Sequence, residues 1–270
     1  MNIPEFAMGI GQGVWLTHGA RRCFELSDPA DRKAMIQLKK INHAYHTKSI
    51  LRDLDLDILD GGLTCLLGSS GSGKSTILRI IAGLEIPQGG QVVMDGKVVT
   101  DAGKILVPAA ERGIGFVFQD LALWPHFTVY EHIAFGLKEL KINDLESKVL
   151  EMLDAFGLRK HRDKYPHQLS GGQKQLVAIA RSLVLKPKTL LMDEPLSDLD
   201  VKLKHRMLEI IKALKQKYDM TIIYVTHDHK EAFALADQVV VLNQGQIEAM
   251  GSVSEIKTSS SAFVQYFLEY

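Results

Sequence analysis

The sequence predicts an α/β protein: a parallel-rich sheet with helices around it, an antiparallel β part on its N-terminal side, and an α-helical subdomain inserted midway. Three observations carry that prediction. Short apolar runs at 63–67, 189–192, 221–225 and 239–242 are spaced by stretches of helical period, as in parallel sheets built from strand–helix–strand units. Leu54, Leu56 and Ile58 alternate with Asp53, Asp55 and Asp57, the pattern of a strand with one wet face. Residues from about 120 to 187 show helix-spaced apolar positions and no strand pattern after the first few.

The elements follow in order. Met35, Ile36, Leu38 and Ile41 open a strand, the aspartate-studded strand comes next, and Gly61-Gly62 turns the chain into the apolar run 63–67. A helix through Ile77, Leu78, Ile80 and Ile81 ends near Gly83. Asp95-Gly96 supplies the positive φ of a tight hairpin between runs at 91–94 and 97–99, and 114–118 reads as another strand. In the insertion, Leu145, Val149, Met152, Leu153 and Phe156 mark one helix and 172–185 a second; a third, through Leu203, Met207, Ile210, Ile211 and Leu214, lies between later strands.

Composition narrows the class. The chain has 270 residues and is 46% hydrophobic, enough for a sizeable core, and its 32 basic and 32 acidic side chains balance. A neutral chain gives no global reason to expect nucleic acid or an anionic surface as partner. Cys23 and Cys65 make neither a disulfide framework nor a zinc set, which fits a reducing compartment. No apolar run approaches the roughly 18–20 residues of a membrane span. Residues 1–34 lack both a signal-peptide pattern and a structural period, so they read as a poorly ordered extension, with translation from Met1 or from Met35 both open. The folded domain is expected over 35–270.

The chemistry begins at the end of the run 63–67. Gly68-Ser69-Ser70-Gly71-Ser72-Gly73-Lys74-Ser75 fits the phosphate-loop pattern between a strand and a helix, where backbone N–H groups and a helix N-terminus surround phosphate oxygens. In that pattern Lys74 reaches the β and γ phosphates, the Ser75 hydroxyl ligates Mg²⁺, and Thr76 adds a hydroxyl at the α phosphate. The strand 189–192 ends in Asp193-Glu194, one carboxylate for the metal shell and one to polarise an attacking water. Leu169-Ser170-Gly171-Gly172-Gln173 is a second glycine-containing phosphate loop far downstream of the first.

Together these motifs resemble the ATP-binding subunit of ATP-binding-cassette (ABC) transporters over about residues 36–250. The resemblance implies a P-loop NTPase core of RecA-like type. It assigns Leu169, Ser170, Gly171, Gly172 and Gln173 to the signature that binds the ATP of a second protomer, Ser197, Asp198, Leu199 and Asp200 to the D-loop, and His227 to the switch histidine. It makes Glu194 and His227 catalytic, and Ser75, Gln119 and Asp193 the Mg²⁺ ligands. Tyr45 takes the place of the ring that stacks on adenine, and Gln119 that of the Q-loop glutamine. Two departures stand out: Leu176 where an arginine is frequent, and Asp198 where a small residue is usual, the latter expected to oppose ATP at the partner's site.

The resemblance further implies an ATPase that drives import at the cytoplasmic face of the cell membrane, as a peripheral subunit. Its partners would be a second ATPase subunit, head to tail, membrane permease subunits, and a substrate-binding protein indirectly, with no nucleic acid. Leu121, Leu123 and Trp124 are expected in a groove that receives a short permease helix. The segment Tyr165-Pro166-His167-Gln168 resembles importers with separate binding proteins, and the nearest-looking subfamily serves ferric iron, sulfate, polyamine or sugar uptake. The roughly 20 residues after Gly251 are too few for the β-rich regulatory domain frequent there, so none is expected. A soluble ABC ATPase outside transport and a nonhydrolytic regulatory module remain the alternatives.

Overall fold

The computed structural model describes residues 34–218 and 220–269. The extension read over 1–34 lies outside them except for Ala34, which already belongs to the first strand. In chain order the elements are β1 (Ala34–Tyr45), β2 (Lys48–Leu59), β3 (Leu63–Gly68), α1 (Lys74–Ala82), β4 (Gly89–Met94), β5 (Lys97–Asp101), β6 (Lys104–Ile105) and β7 (Ile114–Val117). Then come α2 (Val129–Glu139), α3 (Leu145–Ala155), α4 (Gly171–Leu183), β8 (Thr189–Asp193), α5 (Val201–Tyr218), β9 (Thr221–Thr226), α6 (His229–Leu235), β10 (Gln238–Asn243), β11 (Gln246–Gly251), α7 (Val253–Lys257) and α8 (Ala262–Glu269).

Among the described residues the chain divides into two compact units, 123–185 in one and 34–122 with 186–218 and 220–269 in the other. The larger unit holds both sheets. An antiparallel sheet runs β2-β1-β4-β5-β6, and a second sheet runs β11-β10-β3-β9-β8-β7, parallel except at β10–β11. Strand β2 buries Leu54, Leu56 and Ile58 and exposes the aspartates between them, because side chains alternate faces along a strand. Strands β3, β8 and β9 are buried along their whole length, which is why their sequences read as apolar runs. One core joins them: Ile36, Leu38 and Leu56 of the antiparallel sheet pack in the same cluster as Leu66, Leu191 and Ile223 of the parallel one, with Ile77, Leu78, Ile80 and Ile81 of α1 included.

Buried Arg112 completes α1. Its guanidinium donates to the carbonyls of Ile80 and Ile81 at 3.2 and 2.7 Å, to Val99 O at 3.2 Å and to Thr100 Oγ1 at 2.7 Å. The Ile80 and Ile81 carbonyls belong to the last turn of α1, where intrahelical donors run out, and Ile80 O also accepts the Gly83 N–H at 3.1 Å. The strand expected over 114–118 stops at Val117, so Gln119 lies in the following turn. The helical character expected from about residue 120 begins only at Val129, because Leu121 and Ala122 sit at φ 61° and 43°, outside the helical region.

The smaller unit is made of α2, α3 and α4. Thr128 and Glu131 form a capping box at the start of α2, and Ser170 with Gln173 does the same for α4. Buried His132 on α2 ties down the loop before it: Nδ1 contacts Thr128 O at 2.8 Å and Nε2 accepts the backbone N–H of Trp124 at 2.9 Å.

Candidate functional site

The order of the parallel sheet decides where the chemistry lies. Strands β3, β9 and β8 are neighbours, with Leu67 opposite Thr226 and Val225 opposite Asp193. The residues that follow these strands therefore emerge side by side at the carboxyl edge of the sheet, where open α/β sheets bind ligands.

After β3 comes the loop 68–73. Gly73 sits at φ 105° as the N-cap of α1, a conformation that favours glycine, and a Cβ there would lie 2.6 Å from Leu51 Cδ2, which would have to shift. Buried Lys74 donates through Nζ to Gly68 O at 2.8 Å and Ser69 O at 2.9 Å, and lies 3.9 Å from Glu194 Oε1. Burial lowers its pKa, while Glu194 and Asp193 oppose that shift. The Ser75 hydroxyl donates to Asp193 Oδ1 at 2.7 Å. Asp193 is itself buried, and burial raises its pKa against the Ser75 hydrogen bond.

After β8, Glu194 adopts φ 41°, a left-handed conformation uncommon for a glutamate, held by a backbone hydrogen bond to Val225 O at 3.0 Å. After β9, His227 brings Nδ1 to 2.8 Å from Glu194 Oε2. A cleft of about 530 Å³ is lined by Tyr45, Ser70, Gly71, Gly73, Lys74, Ser75, Thr76, Gln119, Glu194 and His227. Asp193 reaches it through Ser75.

Lys48 and Ile50 line the same cleft and were not singled out in the sequence. Lys48 pairs with Tyr45 across the β1–β2 turn, a register that no local motif announces. His43 and Glu85 were missed as well: the Tyr45 hydroxyl donates to Glu85 Oε2 at 2.6 Å, and the His43 ring meets the Tyr45 ring edge-on at 4.8 Å between centroids. Ser72 is buried in the loop; its N–H donates to Ser69 O at 3.2 Å and its backbone O accepts the Gly245 N–H at 3.1 Å.

The D-loop residues follow without lining the cleft. Ser197 N donates to Glu194 O at 3.3 Å, Asp200 Oδ1 accepts the Leu203 N–H at the start of α5, and Asp198 is exposed. In the other unit, the signature segment starts α4. Leu169 is buried, whereas Ser170 and Gly171 are exposed at the helix N-terminus, with the Ser170 N–H bonded to Gln173 Oε1 at 3.0 Å. The Gln173 N–H is capped by Ser170 Oγ at 3.4 Å, and an exposed helix N-terminus of this kind attracts anions. Leu176 is buried on α4, as are Val177, Ile179 and Ala180.

Strand ends that deliver a glycine-rich loop, a buried aspartate and a hydrogen-bonded Glu–His pair to one cleft make this a P-loop nucleotide-binding protein. The family described as ABC transporter matches residues 51–197, and the chain belongs to it. The "Fe(3+) ions import ATP-binding protein FbpC" of Vibrio cholerae is 44% identical over 88% of this chain and 67% of its own length. The "Spermidine/putrescine import ATP-binding protein PotA" of Photobacterium profundum is 45% identical over 88% of this chain and 63% of its length. The chain thus spans about two thirds of the length of these curated relatives. Among solved structures, a dimeric ATP-binding cassette in a post-hydrolysis state, bound to ADP and Pi, is 32% identical with a TM-score of 0.73, covering 81% of this chain and 99% of that one. The fold is that of an ABC cassette.

Proposed function

We propose that this chain binds and hydrolyses ATP as one half of a head-to-tail pair, and that closure of the pair powers uptake through membrane permease subunits. The observation that carries the reading is the pairing of Glu194 with His227 in the cleft that also holds Lys74.

Each residue has a role that its position supports. Tyr45, fixed by Glu85 and His43, offers a ring face to adenine, and the loop from Gly68 through Ser69, Ser70, Gly71, Ser72 and Gly73 offers N–H donors to the phosphates. Lys74 supplies a partly desolvated positive charge for the β and γ phosphates, with Thr76 at the α phosphate. Ser75, Gln119 and Asp193 form an all-oxygen set of the hard type that Mg²⁺ prefers, and when bound the ion neutralises phosphate charge. Glu194 takes a proton from the attacking water. Its carboxylate accepts from His227 Nδ1, which leaves Nε2 available to the terminal phosphate. The N-terminus of α4, with Ser170, Gly171 and Gly172, completes the site of a second protomer.

The permease partner fits an aromatic surface on the smaller unit. Trp124 packs against Phe127 and Phe135 at centroid distances of 5.1 and 4.8 Å, and both Trp124 and Phe135 are more than one third exposed. Such a patch suits a short apolar helix. The likeness to import subunits supports uptake, with the chain peripheral to the cytoplasmic face of the membrane; no described helix is long and apolar enough to cross one.

ATP turnover by the purified chain, compared with Glu194→Gln, tests the proposal. Turnover in the wild type and its loss in the variant are expected; equal, negligible rates in both would make the chain a nonhydrolytic regulatory module. Copurification with an integral membrane permease tests the transport role.

A further inference from the structure

We infer that Thr226 and Glu231 are positioning residues for His227: a buried hydroxyl–carboxylate relay holds the backbone on both sides of the histidine and thereby its contact with Glu194. Its catalytic consequence rests on the ATPase function proposed above. The geometry stands by itself.

The His227 side chain is 57% exposed, so packing does little to select its orientation. Its contact with Glu194 therefore depends on where the backbone that carries it places the ring. Glu231, buried on α6, gathers three side-chain donors: Tyr224 Oη at 2.8 Å and Thr226 Oγ1 at 2.9 Å to Oε2, and Lys204 Nζ at 2.8 Å to Oε1. Because the Thr226 hydroxyl gives its proton to Glu231, its lone pairs are left to accept, and the Asp228 N–H donates to it at 3.0 Å. One hydroxyl therefore ties the last residue of β9 to the N-cap of α6. His227 is the residue between the two tied points.

The relay also reaches α5. Lys204 lies one turn beyond Asp200 of the D-loop segment, and its Nζ is 3.8 Å from Asp228 Oδ2 as well as bonded to Glu231. The backbone that carries His227 is thus fixed from the sheet, from its own helix and from the helix that follows the D-loop. A rival account has the same bonds merely fastening α6 to the sheet. Tyr224 separates the two accounts, because its hydroxyl fastens Glu231 to β9 without touching the Thr226–Asp228 bond.

The test uses the full chain with Thr226→Val, Thr226→Ser and Tyr224→Phe. ATP turnover is measured together with the ¹⁵N and ¹H NMR signals of the His227 imidazole, assigned by comparison with His227→Asn. Valine keeps the branched shape that suits a strand and removes the hydroxyl; serine restores it. In Thr226→Val, kcat is expected to fall about tenfold with KM within about twofold, as for a misplaced reacting group, and the His227 signals to move. Thr226→Ser should return both to wild-type values. Tyr224→Phe should leave both unchanged even where its thermal stability falls. Wild-type kcat and unmoved His227 signals in Thr226→Val would overturn the inference, as would a Tyr224→Phe loss equal to that of Thr226→Val. If the wild type does not turn ATP over, the proposed function falls, and the His227 signals alone decide this inference.

Discussion

His227 Nδ1 lies 2.8 Å from Glu194 Oε2, and this contact joins the residues that follow two adjacent parallel strands, β8 and β9. In the proposed function the pair is a proton acceptor and its orienting partner, and Lys74 lies 3.9 Å from the same carboxylate. Neutralising that carboxylate should leave nucleotide binding intact and stop the chemistry. Glu194→Gln is expected to lower kcat by about 10²-fold or more, the usual worth of a positioned general base, while ATP affinity stays within about threefold. Steady-state turnover and equilibrium titration with a fluorescent ATP analogue check both halves.

His132 makes the loop before α2 sensitive to acid. Its Nε2 accepts the Trp124 N–H, so protonation there would set donor against donor, and burial accordingly holds the His132 pKa below its ordinary 6.5. The unfolded chain therefore binds more protons than the folded one in the window below about 6.5, and stability falls as pH drops through that window. Thermal unfolding from pH 7.5 to 5 should show this loss in the wild type, and a flatter profile in His132→Asn.

Gly245 couples a distant hairpin to the phosphate loop. It sits at φ 81°, a Cβ there would come 1.9 Å from Ile50 O, and its N–H donates to Ser72 O at 3.1 Å. Gly245→Ala should cost about 1–3 kcal/mol of stability, the range for a residue forced into a special φ, and should weaken ATP binding as the loop shifts. Chemical denaturation and ATP titration read the two effects.

Trp124 is predicted to act on the partner and not on the nucleotide. Trp124→Ala should leave ATP turnover by the isolated chain within about twofold of wild type, while association with the permease falls about tenfold or more, as for an aromatic anchor. Pull-down and turnover assays on one preparation separate the two.

How much of this was legible in the sequence depended on whether the signal was local. The buried strands β3, β8 and β9 and the phosphate loop were readable, because burial on both faces imposes apolar runs and a phosphate cradle imposes glycines at fixed spacing. The hairpin at Asp95-Gly96 was readable for the same reason; both residues have positive φ. Lys48, His43, Glu85 and Arg112 were not. Lys48 is set by strand register, Glu85 and His43 by contacts between positions 42 and 40 apart, and Arg112 by carbonyls at the far end of α1. Short α2 was also passed over as a separate helix, although Thr128 and Glu131 carry its capping box in plain view.

The central claim is that one chain presents two half-sites, the cleft at the phosphate loop and the N-terminus of α4, and that hydrolysis needs both from different copies. Ser170→Arg tests it most directly, since Ser170 is exposed at the start of α4 and lies in the unit that does not contain the cleft. ATP affinity of the isolated variant should match that of the wild type through Tyr45 and Lys74, while ATP-dependent dimer closure and turnover are lost. Full turnover in Ser170→Arg would contradict the account.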